Sequence, residues 1–101
     1  MTTMKQASWM EALPQYLDHT VLRPDATKTD VLRLCAEAKS LDFRVIFIPP
    51  CYIDEAVAAV AGTEIRVGIP VGFPLGGHTT KMKVAEAVEG VERGATVLDM
   101  V

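Results

Sequence analysis

Short apolar runs alternate with segments of helical period along this chain, and that alternation restricts the fold more than any other feature. Leu17 to Leu22, Phe43 to Ile48, Arg66 to Val71 and Ala95 to Val101 read as strands. Between them, Val31, Leu34, Cys35 and Ala38 follow the i, i+3, i+4, i+7 spacing of one helix face, as do Ile53, Ala56, Val57 and Val60, and then Val84, Ala87, Val88 and Val91. The strands begin near residues 17, 43, 65 and 96, intervals that suit successive βα units. Units of this kind cross over right-handedly and build a parallel sheet with helices outside. Phe43 to Ile48 is nearly continuous in apolar residues, the pattern of a strand covered on both faces.

Local signals punctuate the series. Thr27 with Asp30 forms a capping box at the start of the first amphipathic helix. Arg23-Pro24 marks the loop before it. Gly62 and Gly94 are helix stops. Trp9 to Leu13 is expected to be a short helix or turn over an apolar surface, with Pro14 near its end. The expected organisation is a tail and short helix over residues 1–12, then one βα series over residues 13–101.

Two architectures use this pattern, an open doubly wound sheet and a closed (β/α)8 barrel. A barrel needs about 250 residues, so a chain of 101 residues would supply its first half, with four parallel strands and open edges. Barrels keep their chemistry at the strand ends. Polar groups collect there in Asp18-His19-Thr20, in the loop Gly72 to Thr80, and in Asp99.

Charge and composition narrow the function. A net charge of −3, no basic stripe and 6% aromatic residues argue against a nucleic-acid partner. No apolar run approaches a membrane span of about 20 residues, and the first ten residues lack the charged and apolar regions of a secretion signal. Cys35 and Cys51 have neither CxxC nor zinc-ligand spacing. Cys35 is expected to be a buried core thiol and Cys51 to be half exposed, and a reducing cytoplasm suits both.

Asp99 is the foremost catalytic candidate. It sits between Leu98 and Met100, where a carboxylate is costly to bury without a partner or a reaction that uses it. Such a group can relay protons; the structural alternative is an aspartate holding a neighbouring lysine. Strand alternation points Asp18 and Thr20 to one side, where they can hydrogen-bond a ligand hydroxyl, and His19 to the other, as a buried and satisfied histidine. A metal site joining His19 to His78 has no spacing signature behind it. The Gly72 to Thr80 loop matches no named phosphate motif, so a tight turn with a threonine cap is preferred to an anion site. Lys5, Lys28, Lys39, Lys81 and Lys83 all fall in the polar N-terminus or on helix starts and solvated faces, none inside an apolar strand where a Schiff-base amine would be dry.

The motifs Tyr16-Leu-Asp-His-Thr-Val-Leu-Arg-Pro-Asp-Ala-Thr27, Ile48-Pro-Pro-Cys-Tyr52, Val71-Gly-Phe-Pro-Leu-Gly-Gly-His-Thr-Thr80 and Gly94-Ala-Thr-Val-Leu-Asp-Met-Val101 resemble the deoxyribose-phosphate aldolase family, in order, over about residues 13 to 101. The resemblance implies a (β/α)8 barrel and a class I aldolase that works without metal or other cofactor. The family cleaves 2-deoxy-D-ribose 5-phosphate to acetaldehyde and D-glyceraldehyde 3-phosphate. Its Schiff-base lysine is on the sixth strand and a second lysine is on the seventh. An aspartate on the fourth strand, matched by Asp99, relays protons, and Asp18 and Thr20 match residues lining the site. The expected partners are a sugar phosphate and further copies of the chain or the remaining half of the barrel, and the chain alone is expected to be inactive. The alternative is a non-catalytic half-barrel that self-associates or binds a sugar phosphate. Three motifs depart from the family's usual form. Arg23 replaces a lysine and keeps its charge, Pro49 replaces an asparagine and removes an amide at a strand end, and His78 adds a titratable group.

Overall fold

A computed structural model describes residues 8–101. The expected tail falls largely on residues 1–7, outside the described part. Four parallel strands form one sheet in the order of the chain: β1 (Asp18–Thr20), β2 (Val45–Phe47), β3 (Arg66–Val71) and β4 (Val97–Met100). Three helices connect them: α1 (Lys28–Leu41), α2 (Ile53–Ala59) and α3 (Thr80–Glu92). This is the arrangement expected for half of a (β/α)8 barrel.

The capping box forms as read. The Thr27 side chain accepts the Asp30 N–H at 3.2 Å, and the Asp30 carboxylate accepts the Thr27 N–H at 2.8 Å. These bonds satisfy two backbone donors that a helix start leaves without partners. The apolar face of α1 is buried through Val31, Leu34, Cys35 and Ala38. It meets Ile46, Ile48, Val67 and Ile69 of the sheet and Ile53, Ala56 and Val60 around α2 in one cluster. Alternation therefore puts the odd-numbered positions of β1 and β3 and the even-numbered ones of β2 on the helix side.

Several expectations change. β1 is three residues long rather than six, although the Val21 N–H still donates to Phe47 O at 3.1 Å. It has a neighbour on one side only, and a turn follows at residues 24–25. Phe43 and Arg44 stand outside β2, while Ile48 extends its ladder by donating to Gly68 O. Residues 8–12 are helical and Leu13–Tyr16 is a 3-10 turn, but Trp9 and Met10 are more than half exposed. α3 forms where the amphipathic spacing indicated, and its apolar face is uncovered: Val84, Val88 and Val91 are each about half exposed (53, 50 and 54%). The contact of α3 with the sheet is made instead at the buried Gly90, against Ile69.

Candidate active site

The register fixes which side chains share the face turned away from the helices. Asp18, Val45 and Arg66 lie in one row; Thr20, Phe47, Gly68 and Val97 lie in the next; Pro70 and Asp99 form a third. All are on the face opposite Ile46, Val67 and Ile69. Asp18, Thr20 and Asp99 are therefore on one face, with Asp99 one row nearer the C-terminal ends of the strands than Thr20. Three strand spacings of about 4.8 Å put β1 and β4 roughly 14 Å apart.

Asp99 was expected to be costly to bury, and here it is exposed. β4 pairs with β3 alone, so water reaches the carboxylate from the open edge. No salt bridge among the described residues involves it. Asp18 and Thr20 are exposed as well. His19 is on the helix side as read, but it is half-buried. It lies 3.4 Å from the Glu37 carboxylate, and its ring stacks on Phe43 with centroids 4.6 Å apart.

Sequence reading missed two members of this face. Arg66 sits in the row of Asp18 and brings a cation to that end of the sheet. Strand alternation carried the signal for it. Phe47 occupies the middle row and is buried, with its ring over Gly68. A Cβ at Gly68 would stand 2.8 Å from two ring carbons, so the glycine makes room for the aromatic ring. The glycine in a strand was legible, whereas the ring above it was not.

At the C-terminal ends of the strands, a cavity of about 560 Å³ is bounded by Leu22, Arg23, Pro49, Tyr52, Pro70 and Phe73. The Tyr52 hydroxyl donates to Ala26 O at 3.3 Å and ties two of the loops together. Arg23 reaches Asp30 at 2.7 Å and Asp25 at 3.1 Å, which holds its guanidinium over the start of α1. Hydrogen bonds from the Thr27 backbone and side chain, with Arg23 close by, hold the Asp30 carboxyl below the usual carboxylate range.

The glycine-rich loop behaves as a turn. The Gly72 N–H donates to Glu86 Oε1 at 2.8 Å, Gly76 N–H to Gly72 O at 2.8 Å, and Thr79 caps α3. A carboxylate already occupies the amide that an anion would need. His78 lines a second cavity, of about 490 Å³, beside Cys51 and Met82, whereas His19 pairs with Glu37. Among the described residues no group of three or more metal-ligating side chains is found. Lys28, Lys39 and Lys81 are exposed on helices, and Lys83 is half-buried with its stem against Gly72; Lys5 lies outside the described residues.

Sequential parallel strands with helices on one face and Asp18, Thr20 and Asp99 on the other make this part of a (β/α)8 barrel. No family model matches the chain. Individual relatives do. The chain is 45% identical to a deoxyribose-phosphate aldolase from a Thermoanaerobacter species, over 88% of its own length and 40% of that protein. It is 41% identical to one from Caldanaerobacter subterraneus over 97% of its length and 42% of that protein. Among solved structures, a protein described as a deoxyribose-phosphate aldolase from Coccidioides immitis superposes with a TM-score of 0.87 at 38% identity, covering 89% of this chain and 36% of that one. The tetrameric deoxyribose phosphate aldolase of Aeropyrum pernix gives 0.83 at 34% identity, covering 89% and 38%. The chain is a homologue of the deoxyribose-phosphate aldolase family, with the fold of half its barrel, and it spans about 40% of the length of the curated relatives it matches.

Proposed function

We propose that the chain supplies the first half of a class I aldolase that cleaves 2-deoxy-D-ribose 5-phosphate to acetaldehyde and D-glyceraldehyde 3-phosphate and runs the reverse addition. The observation that carries this reading is the register placing Asp18, Thr20 and Asp99 on one face of a parallel sheet. An amine from the other half of the barrel condenses with the sugar aldehyde and loses water. Asp99 takes the proton from the hydroxyl next to the breaking carbon–carbon bond and returns it on the way back. A carboxylate serves as such a base within hydrogen-bond reach of the hydroxyl. Asp18 and Thr20 hold substrate hydroxyls, and no metal or other cofactor takes part. Residues 13–101 form the half-barrel unit, and the completed enzyme self-associates, as the tetrameric Aeropyrum pernix protein does. The place of action is the cytoplasm; no described helix is long and apolar enough to cross a membrane.

Joining this chain to the remaining part of the Thermoanaerobacter relative provides the test. The chimera cleaves the sugar phosphate, and Asp99→Asn lowers its kcat by about 10² to 10⁴, while Asp18→Ala raises KM. An Asp99→Asn chimera with unchanged kcat would sink the proton-relay assignment. The 101-residue chain alone, mixed with substrate and borohydride, gains no imine adduct by mass spectrometry. A labelled lysine in this chain would contradict the division of labour between the halves.

A further inference from the structure

The loop between β3 and α3 hangs on one residue. Gly72 leaves the strand in the left-handed region, with φ +74°. Its carbonyl accepts the Gly76 N–H at 2.8 Å, and its own N–H donates to Glu86 Oε1 at 2.8 Å. Of residues 73–78, Gly76 alone is hydrogen-bonded among the described residues. Glu86 is half-buried on α3, and a bond to a carboxylate is stronger than one between neutral groups. Lys83, one turn earlier on the same helix face, brings its Cε to 3.1 Å from a Cβ built at Gly72. Two side chains of α3 therefore grip the residue from which the loop starts.

The same loop forms a wall of the candidate site. Phe73 and Pro74 bound the cavity of about 560 Å³ at the strand ends, together with Leu22, Arg23 and Tyr52. Pro70, in the row of Asp99, bounds it as well, so the wall continues directly from the strand position beside Asp99. Glu86 lines this cavity and also the second one, of about 490 Å³, so it stands in the partition between them.

We infer that Glu86 is a positioning residue of this site: its carboxylate fixes Gly72 and, through Gly72, the Phe73–Pro74 wall that holds a bound substrate in line with Asp99. The inference deepens the aldolase reading and rests on it for the identity of the substrate, whereas the anchoring of the wall stands on the geometry alone. Glu86 exchanges no proton in this role. What it supplies is an acceptor oxygen at one reach from α3. Glutamine offers an acceptor at that reach, whereas aspartate keeps the charge but is one methylene too short.

The chimera with the Thermoanaerobacter relative and the 101-residue chain test this together. In the chimera, Glu86→Ala and Glu86→Asp are expected to lower kcat/KM by about tenfold or more, because a displaced wall misaligns the substrate. Glu86→Gln restores most of the loss, and Glu92→Ala, at the exposed end of the same helix, changes nothing. In the 101-residue chain the reporter is the Gly76 amide, which Glu86 does not touch. Its hydrogen exchange, read by NMR, should quicken by about tenfold in the Ala and Asp variants and stay slow in the Gln variant, with the amides of β2 unchanged. Circular dichroism checks that each variant remains folded. An Ala variant with unchanged kcat/KM, an equal loss in the Ala and Gln variants, or a Gly76 amide indifferent to all three substitutions would each overturn the inference. A chimera with Glu86 intact that traps no imine with 2-deoxyribose 5-phosphate and borohydride overturns the aldolase reading instead, and the Gly76 exchange then decides the anchoring by itself.

Discussion

Gly90 shows how one absent methyl group sets the distance between a helix and a sheet. A Cβ built there would overlap the Ile69 Cδ1, so the end of this fully buried side chain would have to shift. Alanine in a helix interior gains about 1 kcal/mol over glycine by propensity, but overpacking a core costs about 1–3 kcal/mol. Gly90→Ala is therefore expected to be neutral to destabilising by up to about 2 kcal/mol in urea unfolding, against the gain that propensity alone predicts. Cysteine differs by position in the same way. Burial pushes the Cys35 thiol up from its ordinary value, whereas Cys51 is exposed. A chromogenic disulfide at pH 8 should titrate one thiol rapidly, and Cys51→Ser should abolish that phase while leaving the slow one. Two equal fast phases would mean that the Cys35 site opens readily. The burial of Cys35 was legible from helical spacing. The exposure of Asp99 was not, because sequence reports the residues flanking a carboxylate and not whether a further strand lies beside it.

At the scale of the element, local bonding was read more faithfully than packing. The capping box of α1 needs only four consecutive residues, Thr27 to Asp30, and it formed as the spacing indicated. Thr27→Ala should cost about 1 kcal/mol of stability, measured by thermal or urea unfolding. The carboxyl of Asp30 is held below its ordinary range, so the folded state binds its proton less readily than the unfolded chain does. Its contribution is present above the ordinary carboxylate pKa of about 4 and is lost as the pH falls from there through the folded value. Asp30→Asn should flatten that part of the acid unfolding curve; an unchanged curve would show that the box does not couple to folding. The stripe of α3 was read with the same periodicity, and the helix formed, but its apolar face is half exposed. A 3.6-residue repeat identifies an apolar face but does not say which neighbour covers it. α1 had the sheet and α2 against its face, while the valines of α3 face a place that no described residue fills.

For the whole molecule, the two outer strands decide local stability. β2 and β3 are paired on both sides and hold Ile46 and Ile69 at 0% exposure, whereas β1 and β4 each have one partner. Opening of an edge strand exposes less surface and costs less free energy. Amide hydrogen exchange should accordingly be slowest in β2 and β3 and faster in β4 and at the start of β1; uniform protection across all four strands would mean that the edges are covered in solution. The order of strands and helices, the burial of α1 and the side on which Asp18 and Thr20 fall were all determined by the sequence. Each follows from periods of two and 3.6 residues and from nearest-neighbour bonding along the chain. The register that sets Asp99 one row beyond Thr20, the seating of Phe47 on Gly68 and the open groove beside Leu98 were decided only by the tertiary structure. These depend on which distant residues become neighbours, and pairing between strands more than twenty residues apart leaves no periodic trace in either of them.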